Sequence, residues 1–332
     1  MIYLDKIFFK EVYTPMTLKK LFRRRINIAY LALLGVIAAE MLIGVLSVFI
    51  PLPGTFWAST FGINVFYIIL YTVLAAALAV PLLKIRPSKL VNFNKFSIAE
   101  GLPAIFIMLG ASIIMQYINN FIIYFMDMLG LTVADYDAGM AMPSDIPGYV
   151  GYMVLICVFP AVFEEILHRG IVLNALKPLN SRAAIIISAF GFSMFHMTLQ
   201  QFPYAFMMGL ALGWLAVRFD SIIPSMILHF CSNFYAGAIT LMQDSGKYSE
   251  SRLNNIYLAV CAALLFLGIG SAVIYCIQRK KRPAPKPVYR DPLPAGDAFT
   301  ALMSAPLFWV HLVICVGMAV FTNFILLTQY AA

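Results

Sequence analysis

Apolar runs bounded by charged residues, proline or glycine divide the chain: 26–50, 62–83, 98–125, 148–176, 183–199, 203–217, 222–241, 256–277 and 306–327. Most are close to the roughly 20 residues that a helix needs to cross a hydrocarbon core about 30 Å thick. The pattern predicts an all-α polytopic membrane protein with about eight to nine transmembrane helices. The run 203–217 is short. Were it re-entrant, every later segment would change sides, so it is read as crossing. The segments then order as a basic tail (1–25), three N-terminal transmembrane helices (26–125), a four-helix unit (148–241), a helix (256–277), a basic proline-rich linker (278–305) and a terminal helix (306–329).

Composition agrees. The chain has 332 residues, 62% of them hydrophobic and 11% charged, against about 25% charged in an ordinary soluble domain. A soluble globule is excluded, as are disordered and disulfide-scaffold classes. Five cysteines are scattered singly through apolar stretches with no CxxC pair, the pattern of small buried residues. The net charge of +8 is a membrane address rather than a nucleic-acid footprint. If every run crosses, 20 of the 23 Lys and Arg residues fall on one side: in the tail, at 84–95, at Lys177, Arg182 and Arg218, and at 279–290. Lys247 and Arg252 fall on the other side, and Arg169 lies inside a run. The positive-inside rule puts the N-terminus in the cytoplasm. The first 25 residues have no small-residue cleavage site after a short apolar core, so the first run reads as an anchor.

An ionisable group at bilayer depth costs at least about 2.5–3.5 kcal/mol on insertion scales, which makes each a functional candidate. Glu40 lies in the first run, Glu164, Glu165, His168 and Arg169 in the fourth, His196 in the fifth and His229 in the seventh. Glu100 reaches an interface, and His311 in the last run has no sequence-local partner. Glu165 and Arg169, spaced i,i+4, share a helix face and neutralise each other. Glu164 is left for chemistry, on the face of His168. Pro160 cannot donate to the carbonyl of Ile156, which kinks the helix or exposes that carbonyl. His229 and Asn233 are again spaced i,i+4.

Depth joins these residues. At 1.5 Å per residue from the nearest basic residue of the cytoplasmic side, Glu164, His196, His229 and Asn233 lie roughly 20, 21, 17 and 22 Å in. They form one layer near the bilayer middle, as a shared polar cavity requires.

Glu164-Glu165-x-x-x-Arg169, Phe192-x-x-x-His196 and His229-x-x-x-Asn233 resemble the motifs of the CPBP family, the CAAX proteases and bacteriocin-processing enzymes related to the type II CAAX prenyl protease. The likeness covers about 148–241, and His168 stands where the family usually has an aromatic or apolar residue. The resemblance implies an intramembrane endopeptidase in which Glu164 activates water, His196 helps hold it, and His229 and Asn233 donate to the oxyanion. Glu165, Arg169, His168 and Phe192 support them. Glu164, His196 and His229 could also hold zinc, although no HExxH helix is present. The implied partners are a peptide or membrane-protein substrate and the lipid bilayer, not nucleic acid, and the implied location is a bacterial plasma membrane. The alternatives are a non-catalytic scaffold or bacteriocin immunity factor of the same fold, and a proton-coupled transporter, which is disfavoured because no inverted repeat is evident.

Overall fold

The computed structural model describes residues 15–47, 49, 61–134, 143, 145–280 and 292–331. Lys6 and Lys10 of the basic tail, Asp135 and Asp137 between the runs 98–125 and 148–176, and Lys281, Arg282, Lys286 and Arg290 of the linker lie outside the described residues. The described chain is all-helical: α1 (Pro15–Ser47), α2 (Ile63–Leu83), α3 (Ile98–Met128), α4 (Ile146–Leu176), α5 (Ser181–Phe195), α6 (Phe202–Phe219), α7 (Ile223–Asp244), α8 (Glu250–Lys280), α9 (Ala295–Met303) and α10 (Pro306–Ala331). This is an all-α polytopic membrane protein. Among the described residues seven helices are long and apolar enough to cross a membrane, namely α1, α2, α3, α4, α6, α8 and α10. The short run at 203–217 is one of them, lengthened to 18 residues as α6.

The other two runs carry the histidine motifs. Helix α7 has 22 residues, a full crossing length, but its apolar pattern is broken by His229, Ser232 and Asn233. Helix α5 has only 15 residues, about 22 Å at helical rise. Its N-terminus is capped by Asn180, whose side-chain oxygen accepts from Ala183 N at 2.8 Å. It stops at Phe195, four residues before the apolar run ends, because Met197 takes a left-handed backbone at φ 50°. His196 therefore sits at the helix end rather than within a turn.

Two apolar cores hold the bundle. In one, a stripe of α1 (Phe22, Ile26, Leu33, Val36) packs on Leu167, Leu173 and Leu176 of α4 and Ile187 of α5. Tyr30 on the same stripe donates to the carbonyl of Ile187 at 3.1 Å. In the other, Ile105 and Leu109 of α3 meet Phe192, Leu212, Leu215 and Leu228. Large side chains such as Phe121, Phe266 and Val313 face outward. On a soluble protein this would be an aggregation surface, whereas on this bundle it is the lipid-facing side.

Helices α3 and α8 cross at paired glycines. A Cβ on Gly110 would lie 3.0 Å from both the Cα of Gly268 and the carbonyl oxygen of Leu264. Such small-residue contacts replace the hydrophobic driving force that lipid removes. Gly110→Val should force the helices apart and destabilise the protein by about 1–3 kcal/mol. A lowered melting temperature in detergent checks this, with Gly44→Val, where a Cβ meets nothing within 4 Å, as the control.

The basic end of the bundle is tied across helix ends. Asp220, left-handed at φ 47°, terminates α6, and its carboxylate accepts from Lys177 at 2.9 Å and Asn94 at 3.3 Å. Burial holds the Lys177 ammonium below the ordinary lysine range, against the opposing pull of Asp220. Arg218 reaches Glu100 at 3.2 Å, which accounts for the acid at the start of α3. The linker is partly structured: Leu293 N donates to the carbonyl of Leu179, Asn180 donates to the carbonyl of Leu293, and α9 follows. The sequence pattern missed α9 because its buried residues are small, Ala298 and Ala301, and nine residues are too few to stand out as a spanning run. Of the cysteines, Cys157, Cys261 and Cys315 are buried, but Cys231 is only partly so and Cys276 is exposed.

Candidate active site

The site begins with a helix that is not regular. Three stretches of α4, Val154–Val158, Pro160–Glu164 and Ile166–Leu173, are wound as π-helix. Phe159 N, for example, donates five residues back to Val154. Wide turns of this kind recur at functional sites. Pro160 begins the second stretch, and the Ile156 carbonyl that it cannot serve accepts from Asn233 Nδ2 of α7 at 3.0 Å. One exposed carbonyl thereby fastens α7 to α4 just before the acid pair.

The two acids have separate environments. Glu165 and Arg169 are fully buried and paired at 2.8 Å. The same guanidinium donates to the Gly209 carbonyl of α6 at 3.2 Å and lies 4.4 Å above the Phe192 ring. Gly209 is needed at that contact, since a Cβ there would lie 2.9 Å from the Cα of Ala189. Glu164 is the accessible acid, with 17% of its side chain open against none of Glu165.

His229 stands between them. Its Nδ1 is 3.0 Å from Glu165 Oε1 and its Nε2 is 3.9 Å from Glu164 Oε2. Glu165 Oε1 accepts from Arg169 at 2.8 Å and from the Nδ1–H side of the imidazole, so Nε2 is the nitrogen that faces Glu164. This second duty of Glu165 was not legible in the motif spacing. His196 is fixed in the same manner: its Nδ1 lies 2.9 Å from the Phe192 carbonyl, leaving Nε2 free of that bond. Phe192 is the hub, its ring 4.9 Å from His196 and 5.8 Å from His229, centre to centre.

The remaining candidates lie around this group. His168 is fully buried, its ring edge-on to Phe192 and Phe195 at 5.2 and 5.6 Å. Neither of its nitrogens has a hydrogen-bond partner among the described residues, so it serves as a wall of the site. His311 is buried in α10, 5.0 Å from the Tyr30 ring and 3.6 Å from Cys315 Sγ. Glu40 had no partner in the sequence pattern. Tyr30 beside Ile187 and Leu33 beside Gly191 set α1 parallel to α5, and that register carries Glu40 to the level of the segment holding His196. There it is within electrostatic reach of Glu164, as is Tyr71 of α2.

A zinc ion takes nitrogen and oxygen ligands at about 2.0–2.2 Å, which requires three donors crowded around one point. Among the described residues no group of three or more His, Cys, Asp or Glu side chains comes together closely enough to hold a metal. His229 Nδ1 and His196 Nδ1 are both committed to protein oxygens, which leaves only their Nε2 atoms as donors. The donor set as arranged does not fit the zinc ligation by Glu164, His196 and His229 that the sequence allowed.

Residues 146–235 match the family model of the type II CAAX prenyl endopeptidase Rce1-like proteins. This stretch is an Rce1-like domain. It runs from the first turn of α4 to two residues beyond Asn233, and so contains every candidate described above apart from Glu40, Tyr71 and His311. No curated protein and no solved structure matches the chain. At the level of the family, the Rce1-like domain is that of a membrane peptidase. The helices flanking it, α1 to α3 and α8 to α10, carry no matched motif, yet α1 supplies one complete wall of its core.

Proposed function

We propose that the protein is a glutamate-dependent intramembrane endopeptidase, anchored in a bacterial plasma membrane with its N-terminus cytoplasmic. The observation that carries this reading is the pairing of an accessible carboxylate, Glu164, with an imidazole whose far nitrogen is locked by a buried Glu165–Arg169 pair. A gap of 3.9 Å between Glu164 and His229 Nε2 suits a bridging water. Glu164 takes a proton from that water as the oxygen adds to the peptide carbonyl carbon, and the C=O electron pair moves onto oxygen. His196 Nε2 steadies the water. When His229 carries both protons, its Nε2–H donates to the oxyanion, together with the amide hydrogen of Asn233 that Ile156 does not use. Glu164 then delivers its proton to the leaving nitrogen as the C–N bond breaks. The substrate is a peptide or the terminus of a membrane protein.

The test is cleavage by reconstituted protein, comparing wild type with Glu164→Gln, His196→Ala and His229→Ala at matched levels of folded protein. Each histidine variant should lose about 10²–10³-fold in turnover. Retention of activity by all three variants defeats the protease reading. Because the donors do not assemble a metal site, exhaustive chelation should leave wild-type turnover unchanged. Loss of activity on chelation, restored by zinc, would replace the water-and-glutamate scheme with a metal one.

A further inference from the structure

A second site lies at the basic end of the bundle, away from the cluster. Between the early turns of α1 and the start of α10 is a cavity of about 290 Å³. Lys20, Arg23 and Arg24 line its rim, and Ile28, Leu31 and Leu307 line its apolar part. Asn27 closes the seam, its side-chain oxygen accepting from Leu307 N at 3.1 Å. Lys20, Arg23 and Arg24 are spaced i, i+3 and i+4, so they share one helix face, where like charges repel.

These cations differ from their neighbours. Lys19 reaches Asp297, Lys177 reaches Asp220 and Arg218 reaches Glu100. Among the described residues no carboxylate pairs with Lys20, Arg23 or Arg24, and all three are exposed. Arg24 donates to the Leu82 carbonyl at 3.5 Å, a neutral acceptor that leaves its charge uncompensated. The cavity is also graded along the helix. Charge lies at the end of α1, and Ile28 and Leu31 lie one to two turns further in. A free phosphate would satisfy the rim and leave the apolar part unused. An anion carrying a hydrocarbon chain would use both. Trp309, half-exposed two residues beyond Leu307 with its ring nitrogen on the Met303 carbonyl, has the amphipathic placement of a side chain at the lipid headgroup level.

We infer that this cavity binds one anionic phospholipid, its phosphate against Lys20, Arg23 and Arg24 and an acyl chain against Ile28, Leu31 and Leu307. The lipid supplies the counter-charge that the described residues do not place there and spans the seam between α1 and α10. The inference is independent of the peptidase reading.

Native mass spectrometry of the full chain in neutral detergent tests it, titrating phosphatidylglycerol against phosphatidylcholine of identical chains, with glycerol 3-phosphate as the headgroup without chains. Wild type should hold one phosphatidylglycerol about tenfold or more tighter than phosphatidylcholine, given the attraction of each basic residue for anionic lipid. Glycerol 3-phosphate should fail to displace it. Replacing Lys20, Arg23 and Arg24 together by Gln should abolish the preference. The same loss of charge at Lys89, Lys95 and Arg182 should preserve it, and Leu31→Gln should weaken phosphatidylglycerol binding. Equal binding of the two lipids by wild type overturns the proposal and needs no variant to fold. So does displacement by glycerol 3-phosphate, or an equal loss of preference in the control triple.

Discussion

Glu164→Gln is expected to abolish cleavage while leaving the protein folded, lowering turnover by about 10²–10⁴-fold, the range that a positioned general base contributes. The substitution keeps the shape of the side chain and removes its ability to take a proton. The fold should tolerate it because, among the described residues, the one ion-pair contact of Glu164 is a long one, 3.9 Å to His229 Nε2, and part of its side chain is open. Turnover measured beside a melting curve in detergent checks both halves. A variant that cleaves like wild type removes Glu164 from the reaction. One that fails to fold shows instead that the half-buried acid is structural.

Arg169→Ala should do the opposite, lowering the yield of folded protein as well as activity. The guanidinium is the only Arg or Lys paired with the buried Glu165 among the described residues. It also satisfies the Gly209 carbonyl and covers the Phe192 ring. Breaking a buried ion pair from one side leaves a charge without compensation and destabilises by about 3–5 kcal/mol. Arg169→Lys should restore part of the yield but not all, because an ammonium cannot span Glu165, Gly209 and Phe192 as the planar guanidinium does. The double variant Glu165→Gln/Arg169→Met should be more stable than Arg169→Ala, since it buries no lone charge. It should still be inactive, because His229 Nδ1 loses the carboxylate that orients it. Melting temperature and turnover, measured separately, distinguish these outcomes.

Much of this site could be read before any coordinates. The i,i+4 spacing of Glu165 and Arg169 revealed the ion pair, and the missing N–H of Pro160 revealed a carbonyl in need of a donor. What spacing could not show was who answers across helices. Asn233 meeting Ile156, Glu165 meeting His229 and Gly209 meeting Arg169 are contacts separated by 77, 64 and 40 residues. They depend on how helices lie against one another, and one helix's periodicity carries no record of that. Helix ends were misread for a related reason. Hydropathy continued through residues 196–199, and only the left-handed turn at Met197 halts α5. The winding of α4 escaped as well, because the residue types in an apolar run do not record whether each N–H bonds four or five residues back. Glu40 was visible as an anomaly without a partner, and the parallel packing of α1 on α5 supplies its place.

The docking of α1 and α10 makes the recognisable stretch of this chain something other than a separable module. Residues 146–235 carry the motifs, yet Tyr30 holds the backbone of α5 from one side, and His311 and Phe308 of α10 close over that tyrosine. The helix bearing the Phe192 hub is thus braced by segments about 160 residues before it and 120 after it. The unit that inheritance conserves as a motif and the unit that folds are different objects here. Excising the first would leave its layer of acids and histidines without the outer wall that braces α5.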